Sequence, residues 1–345
     1  MYIMEYYLTY EQSPDSKIIA KIKDTNKYVY LAKRNDENVK NKEFNDESYK
    51  KMEKKMIEMK IKPRERIIYF KELINLIENK ADINDIETDD DKLLNLYKYY
   101  CGINDCDHLH LDVGTFEIMP NTDPNKITRI YIAGMSESGK SYVAKMICDN
   151  YHDLFPKRKI HLVSELKKDE TLDECKAKLN RVNPETFIDD PPTIEEFAGK
   201  GKNKGSMFIF DDYDNYTGKT EKALDTFLNQ VCQRGRHENM SLIMSSHHLN
   251  NYKKTTVKLA ETVQYVVFPK NTSTSKLEYF LTTYGDLEKN QVQIIKKLNT
   301  RWAMVNRTYP KYVISEHDII ILKDIDIDFA EKNVKKVKIF LPYRD

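Results

Sequence analysis

Residues 134–141 constrain the fold of this chain more than any other segment. They read Gly-Met-Ser-Glu-Ser-Gly-Lys-Ser, so two glycines five positions apart are followed directly by a Lys–Ser pair. An apolar run precedes the segment and an amphipathic pattern follows it, which predicts a strand, a tight loop and a helix in that order. A glycine-rich loop that opens a helix presents backbone N–H groups to an anion. The segment is therefore predicted to bind phosphate.

Each position of this loop has a predicted role in binding a nucleotide. Lys140 is expected to reach the β- and γ-phosphates and Ser141 to hold Mg²⁺, while Gly139 allows the backbone to approach closely. The predicted nucleotide-binding residues are Gly134, Met135, Ser136, Glu137, Ser138, Gly139, Lys140, Ser141 and Tyr142. ATP and Mg²⁺ are the predicted cofactors. The alternative is a Ser–Gly turn that caps a helix and binds no ligand.

A second apolar run, residues 207–210, ends in the adjacent acids Asp211 and Asp212. In a fold with a phosphate-binding loop, one acid at such a strand end joins the Mg²⁺ shell and the next orients or deprotonates water. We assign Asp211 to the metal and Asp212 to catalysis, together with Lys140. The alternative is that these acids, with Asp214, only cap the helix that follows.

Strands and helices alternate after about residue 115, which predicts an α/β domain with a mainly parallel sheet. The predicted strands are 128–133, 159–165, 206–211, 241–247 and 263–268, and the predicted helices are 140–154, 220–233 and 252–261. The proline-rich stretch 167–205 between them is predicted to be a loop. We predict three parts: a small α+β module of unassigned role (1–115), the nucleotide-binding domain (116–330) and a C-terminal tail (331–345).

Residues 233–247 carry a third motif, Gln-Arg-Gly-Arg-His-Glu-Asn-Met-Ser-Leu-Ile-Met-Ser-Ser-His. Together with the phosphate loop and the Phe-Ile-Phe-Asp-Asp strand, this turn and strand resemble the FtsK–HerA superfamily of DNA-pumping ATPases. Within it, the chain resembles the genome-packaging ATPases of poxviruses and other large nucleocytoplasmic DNA viruses. The resemblance covers roughly residues 126–315 and implies a RecA-like (ASCE) P-loop core.

The resemblance implies roles for three further residues. The strand of the third motif usually ends in Gln or Asn, which senses the γ-phosphate; His247 stands there in this chain and takes that role by resemblance. Motors of this superfamily form rings in which an arginine of one subunit stabilises charge on the γ-phosphate of the next. Arg236 matches that position best and Arg234 second. The alternatives are a strand-end histidine without nucleotide and a surface salt bridge for the arginines.

The charge distribution adds a candidate partner. The net charge is only +1, but residues 241–311 hold eleven Lys or Arg against four acids, a local excess of seven. A basic surface beside a nucleotide-driven core suits binding of double-stranded DNA through its backbone without reading of sequence, although solvated lysines give the same pattern. Trp302 and Tyr309 lie among these basic residues, and we predict that they belong to the core.

Two further observations bear on metals and location. The pattern Cys101-x₄-Cys106-x-His108-x-His110 has zinc-type ligands, but its spacing matches no zinc-finger template and the histidines alternate along a predicted strand, so zinc is not favoured. Five scattered cysteines and the absence of a targeting or membrane-spanning run predict an intracellular protein without a membrane partner. If the protein is viral, its place is the host cytoplasm (viral factory) or the virion.

These observations predict an ATP-hydrolysing translocase of double-stranded DNA that packages a viral genome into a capsid. The predicted partners are double-stranded DNA, further copies of the chain in a ring, and a capsid or portal protein. The alternatives are a nucleotide-dependent switch or assembly scaffold, and a non-viral DNA translocase of the same superfamily.

Overall fold

A computed structural model of the chain describes residues 6–33, 46–79, 90–100, 106–249, 262–322 and 335–337. The strands are β1 (Tyr6–Thr9), β2 (Lys17–Ile22), β3 (Tyr28–Lys33), β4 (His108–Leu111), β5 (Phe116–Ile118), β6 (Arg129–Ala133), β7 (Lys159–Val163), β8 (Leu179–Val182), β9 (Ser206–Phe210), β10 (Met240–Ser246), β11 (Gln264–Val267), β12 (Ala303–Asn306), β13 (Tyr312–Ser315), β14 (Asp318–Ile321) and β15 (Lys335–Val337). The helices are α1 (Asp46–Glu58), α2 (Pro63–Glu78), α3 (Asp91–Tyr100), α4 (Lys140–Leu154), α5 (Thr186–Asp189), α6 (Ile194–Phe197), α7 (Gly218–Arg234), α8 (Thr274–Thr283) and α9 (Lys289–Lys297).

The chain divides into two compact units. The smaller comprises Met1–Ser16 and Leu31–Cys106, and the larger comprises Lys17–Tyr30 and Asp107–Asp345. The larger unit includes β2 because this strand pairs antiparallel with β5, with Ala20 opposite Ile118. Such a pairing joins distant parts of the sequence, and no local pattern reveals it. The division into domains near residue 115 stays a prediction. Of the predicted tail (331–345), the structure describes strand β15.

The smaller unit packs helices α1, α2 and α3 around a shared apolar core. Met52 and Met56 lie one helical turn apart and are buried together with Phe70, Leu73 and Leu96. Helix α2 begins at a proline, whose fixed φ suits the first helical position. The Asp90 carboxylate accepts hydrogen bonds from backbone N–H groups in the first turn of α3 and from the Tyr69 hydroxyl. These features start both helices and hold α2 against α3.

The larger unit is built on one eleven-stranded sheet. Its strand order is β15-β4-β14-β13-β12-β11-β6-β10-β9-β7-β8. The six strands from β11 to β8 run parallel, whereas β12, β13, β14 and β4 continue the sheet in antiparallel pairs. Strand β10 lies between β6 and β9, so the carboxyl ends of these three strands meet at one edge. The predicted α/β class with a mainly parallel sheet is confirmed.

The central parallel strands β9 and β10 are buried on both faces, as crossover helices require. Every residue of β9 and of β10 is buried, and α7 packs Leu224, Phe227 and Leu228 onto this part of the sheet. Helix α4 has the predicted bounds, and the predicted strands agree with the observed ones within two residues at each end. The predicted helix 252–261 lies outside the described residues. None of the helices in the described ranges is long and apolar enough to span a membrane.

Two sequence-based expectations were wrong. Residues 167–205 are not a plain loop, because β8 adds an edge strand that pairs parallel with β7, and α5 and α6 follow it. The second error concerns the two aromatic residues of the basic segment. Trp302 is buried as predicted, at 2% exposure, but Tyr309 is 72% exposed because it lies in the turn between β12 and β13 rather than on a strand.

Candidate functional site

The phosphate loop connects the carboxyl end of β6 to the first turn of α4. Its backbone is tied to the neighbouring strand, since the Gly134 N–H donates to the Ser246 carbonyl at 3.0 Å. The buried Lys140 ammonium donates to the carbonyls of Gly134 and Met135 at 3.0 and 3.3 Å, so its side chain curls back over the loop. Gly139 precedes the helix at φ 104°, a conformation that residues with a side chain rarely adopt.

The loop rests on the ring of Phe268, which follows β11 and is 1% exposed. A Cβ atom on Gly134 would lie 2.4 Å from Phe268 Cδ2 and 2.5 Å from Ser138 Oγ. Only a glycine fits there without moving the ring. The exposed residues Met135, Ser136 and Glu137 form the outer rim of the same loop.

The two acids at the end of β9 are held by a serine of β10. Ser245 Oγ donates to Asp211 Oδ1 at 2.9 Å and accepts the Asp212 backbone N–H, also at 2.9 Å. Asp212 stands in the left-handed region at φ 42° and ψ 47°, which costs of the order of 1 kcal/mol for a residue with a side chain. Because of this backbone turn, the two neighbouring carboxylates point in different directions.

Asp211 is buried beside a second acid, and its electrostatics follow from that. Burial, followed by the charge of Asp212, raises the pKa of the Asp211 carboxyl above its usual value, while the Ser245 hydrogen bond and the Lys140 charge act in the opposite direction. A cation near Asp211 would relieve both causes of the shift. The Asp211 carboxylate and the Ser141 hydroxyl are hard oxygen ligands of the type that Mg²⁺ prefers. These two residues fit the predicted metal.

The charged groups of the loop and of the two strand ends converge. Lys140 Nζ lies 3.8 Å from Asp212 Oδ1, and His247 Nδ1 lies 3.5 Å from the same oxygen. Within the part of the chain that the structure describes, Asp212 Oδ1 and His247 Nδ1 are both buried atoms without a hydrogen-bond partner. Three groups predicted from separate motifs thus face one small volume at the carboxyl edge of the sheet.

Asp214 positions the histidine and was only a candidate helix cap in the sequence. Its carboxylate is 2% exposed and accepts the His247 backbone N–H with both oxygens, at 3.1 Å each. The ring of His247 is 24% exposed and turned toward Asp212, whereas His248 is 68% exposed. His247 therefore faces Asp212 just beyond the carboxyl end of β10, whereas His248 faces solvent.

Arg234 and Arg236 lie at the other edge of the same sheet. Arg234 ends α7, and Arg236 lies within the short 3-10 turn Gly235–Glu238 that leads into the amino end of β10. The seven residues of that strand separate both arginines from the phosphate loop, a distance of about 20 Å. Arg234 Nη2 bonds Glu195 Oε1 of α6 at 2.6 Å, and both side chains are about half exposed. Arg236 is exposed, with its Nε 3.4 Å from His237 Nε2. Neither arginine lies at the carboxyl edge of the sheet in its own chain.

Tyr142 extends the site along α4. It is 37% exposed, and the Arg301 guanidinium stands 5.5 Å from the centre of its ring. Glu316 anchors that arginine through its Oε1, which accepts from Arg301 Nε at 2.8 Å. Sequence reasoning included Tyr142 because of its place in the loop motif, but Arg301 only as one of many basic residues.

Sequence reasoning missed three supporting residues: Ser245, Asp214 and Phe268. A signal existed for Ser245, because a polar pair ends an otherwise apolar strand. No local signal marks Phe268, which looks like any aromatic residue at a strand end. Its role depends on β11 being the neighbour of β6 in the sheet.

No protein-family model matches the chain. The chain is 32% identical over 198 residues to the uncharacterized protein V3 of Sputnik virophage, and the match covers 56% of this chain and 78% of that protein.

Solved structures that resemble this chain include two viral proteins and a conjugation coupling protein. The DNA-packaging ATPase B204 of Sulfolobus turreted icosahedral virus has a TM-score of 0.40 and 17% identity, covering 59% of this chain and 100% of that one. The genome packaging NTPase B204 of Sulfolobus turreted icosahedral virus 2, bound to ATPγS, has a TM-score of 0.36 and 11% identity, covering 56% of this chain and 98% of that one. The pCW3 conjugation coupling protein TcpA has a TM-score of 0.39 and 13% identity, covering 62% of this chain and 64% of that one.

At these identities and TM-scores, no substrate, partner or activity passes from those proteins to this chain.

Proposed function

We propose that this chain, which belongs to the family of the uncharacterized protein V3 of Sputnik virophage, is an ATPase that hydrolyses ATP to move double-stranded DNA. The single observation that carries the proposal is the meeting of the phosphate loop with the acids of β9. Lys140 Nζ lies 3.8 Å from Asp212 Oδ1, and Asp211 is the adjacent residue on the same strand end. An anion cradle and a pair of carboxylates that face each other form the arrangement that phosphoryl transfer requires.

The loop binds the triphosphate of ATP. Backbone N–H groups between Gly134 and Ser141 and the amino end of α4 face the phosphates. Lys140 exchanges its hydrogen bonds to two loop carbonyls for phosphate oxygens, because an ammonium gains more from an anion than from a neutral carbonyl. Tyr142 completes the proposed nucleotide-binding set.

Asp212 is the catalytic acid–base group of the proposal. Its Oδ1 is a buried acceptor that receives no hydrogen bond from the described residues, so it can accept a proton or a hydrogen bond from the attacking water. Mg²⁺, held by Ser141 and Asp211, would supply positive charge at the phosphates. His247 lies beside Asp212 at 3.5 Å and would respond to the γ-phosphate through the same oxygen. Asp214 holds the backbone of that histidine in place.

The arginines complete the site only in an assembly. Arg236, or Arg234 in second place, would stabilise charge on the γ-phosphate of an adjacent subunit in a homo-oligomeric ring. The distance of about 20 Å along β10 supports a role in trans, because neither side chain can span it within one chain.

The finer parts of the proposal concern the cargo and the setting. We propose that the cargo is a viral genome and that the motor works against a capsid or portal protein, in the host cytoplasm or in the virion. The viral source of the protein V3 supports this setting. The basic excess of residues 241–311 supports binding of the DNA backbone without sequence preference.

The test is the ATP hydrolysis rate of the full-length protein with and without long duplex DNA, at low and high salt. The informative variants are Lys140→Ala and Asp212→Asn. We expect DNA-stimulated turnover that weakens with salt, and a fall of about 10²- to 10⁴-fold in Asp212→Asn. Lys140→Ala should also lose nucleotide binding.

Lys145→Ala is the matched control, since Lys145 lies on the same helix in an ion pair with Asp149 at 2.9 Å, away from the loop. It should keep the parent rate. Tight nucleotide binding with neither turnover nor a response to DNA would overturn the proposal in favour of a nucleotide-dependent switch or assembly scaffold.

A further inference from the structure

Strands β4 and β14 hold two histidines and an aspartate against one another, away from the nucleotide site. His108 and His110 lie two positions apart on β4, so their side chains leave the same face of the strand. The backbone register places His110 opposite Asp318 on β14. Ligand atoms of these three residues all lie within 4.8 Å of one another. Two paired strands therefore preset the arrangement.

The contacts converge on a single oxygen atom. His108 Nε2 lies 2.8 Å from Asp318 Oδ1, and His110 Nδ1 lies 2.7 Å from the same oxygen. A second carboxylate stands on the other side of His110, because Asp112 Oδ1 is 3.7 Å from its Nε2. His108, His110 and Asp318 are 16%, 30% and 15% exposed, so the cluster is sheltered but open to ions from solvent.

The neutral tautomers of His110 satisfy this cluster poorly. A neutral imidazole has one N–H. If His110 donates it from Nδ1 to Asp318, the lone pair of Nε2 points at the Asp112 carboxylate, and two acceptors face each other. A divalent cation that takes the Nδ1 lone pair removes this conflict, because the single N–H of the ring then sits on Nε2 and faces the Asp112 carboxylate.

We propose that His108, His110 and Asp318 bind one divalent transition-metal ion of the zinc class, with a water molecule as the fourth ligand. Imidazole nitrogen with carboxylate oxygen is a ligand set for zinc, whereas Mg²⁺ prefers oxygen alone. Ligand atoms about 2.0–2.2 Å from zinc lie about 3.3 Å apart in a tetrahedron, so the contacts to Asp318 must open by about half an ångström. Small side-chain rotations accomplish that.

The site differs from the one that the cysteine pattern suggests. Its third protein ligand is Asp318, which is 208 positions beyond His110 in the chain, and no sequence spacing reveals it. Cys101 lies outside the described residues. A metal bound here would link β4 to β14. It would stabilise the folded protein by mass action.

The experiment is a titration of the full-length protein with Zn²⁺ by calorimetry, in excess Mg²⁺ so that oxygen-only sites are filled. Co²⁺ replaces Zn²⁺ in a parallel titration, because its visible absorption reports nitrogen ligands and tetrahedral geometry. The variants are His110→Gln and Asp318→Asn, the second of which keeps size and an acceptor oxygen. His237→Gln is the control, because His237 is exposed and lies outside the cluster.

We expect one Zn²⁺ per chain, a melting temperature that rises with Zn²⁺ concentration, and affinity that falls more than about tenfold in both cluster variants but not in the control. Circular dichroism and melting without metal establish that each variant is folded. If a folded Asp318→Asn variant binds Zn²⁺ as the parent does, or if the parent binds none at this site, the proposal is wrong. Equal loss in His237→Gln would also overturn it.

Discussion

The two edges of the large parallel sheet hold charged residues in opposite ways. At the carboxyl edge, Lys140 and His247 lie 3.8 and 3.5 Å from one oxygen of Asp212, in a largely buried setting. At the amino edge, Arg234 and Arg236 are exposed, and the first is engaged in a surface ion pair. Both sets were predicted from motifs of the same resemblance. The difference teaches that one chain assembles the carboxyl edge by itself, whereas the amino edge can contribute to a nucleotide site only across a subunit boundary.

The largest expected effect concerns Arg236. If it acts on a neighbouring subunit, Arg236→Ala should lower DNA-stimulated ATP hydrolysis by about 10³-fold or more with unchanged nucleotide binding, because a trans-acting arginine stabilises charge in the transition state. Mixing Arg236→Ala with Asp212→Asn subunits should restore part of the rate, since intact Asp212 sites then receive intact arginines. Steady-state rates of the mixed protein measure this. A full rate in Arg236→Ala alone, or no recovery on mixing, would show that the two edges do not cooperate.

Alanine substitutions of two glycines, Gly134 and Gly235, test how tightly the two edges are packed. Gly134→Ala places a Cβ 2.4 Å from Phe268, which should cost about 1–3 kcal/mol of unfolding free energy by overpacking and should weaken nucleotide binding. Gly235 has right-handed helical angles, and its added Cβ would meet neighbours at an ordinary 3.5 Å. Gly235→Ala should therefore be neutral or slightly stabilising. Denaturant unfolding of both variants checks the contrast, and equal destabilisation would refute it.

The raised pKa of Asp211 predicts a pH-dependent stability effect at the carboxyl edge. Because its folded pKa lies above the unfolded value, through burial and then the charge of Asp212, folding favours the protonated acid. Ionised Asp211 thus destabilises the protein at neutral pH, and this cost disappears as pH falls below the unfolded value of about 4.

Asp211→Asn should consequently melt at a higher temperature than the parent near pH 7 in buffer without Mg²⁺ and nucleotide, and the gap should narrow toward acid. Melting scans across pH measure the gap. Addition of Mg²⁺ and an ATP analogue should favour the parent instead, because the cation offsets the buried charge. A gap that is constant with pH would mean that the carboxyl charge is not its cause.

The smallest effect is expected for Arg234. Its ion pair with Glu195 is solvent-exposed, so Arg234→Ala should change the unfolding free energy by at most about 1 kcal/mol, and less at high salt. Glu195→Gln serves as the partner control, and the double variant should add little to either single change. A large loss of hydrolysis in Arg234→Ala with normal rates in Arg236→Ala would exchange the roles assigned to the two arginines.

Local patterns were sufficient for the elements that carry the site. The loop motif, the flanking apolar run and the amphipathic stretch predicted β6 and α4 correctly, because backbone freedom at glycine and burial periodicity act over a few residues. The same applies to the apolar strand that ends in Asp211. Patterns failed where the environment decides: Tyr309 looks apolar in the sequence but is exposed in a turn, and residues 167–205 contain an edge strand that only its partner β7 stabilises.

The sequence by itself determined the chemistry of the proposed nucleotide site, since the types and spacing of the residues in the loop and at the strand ends define an anion cradle and a pair of carboxylates. Only the tertiary structure decided which distant residues support that chemistry. Strand order brings Ser245 between Asp211 and Asp212 and puts Phe268 under Gly134, and the β4–β14 register joins Asp318 to two histidines. Sheet pairing acts between residues that are far apart in the chain, so no local sequence pattern contains it.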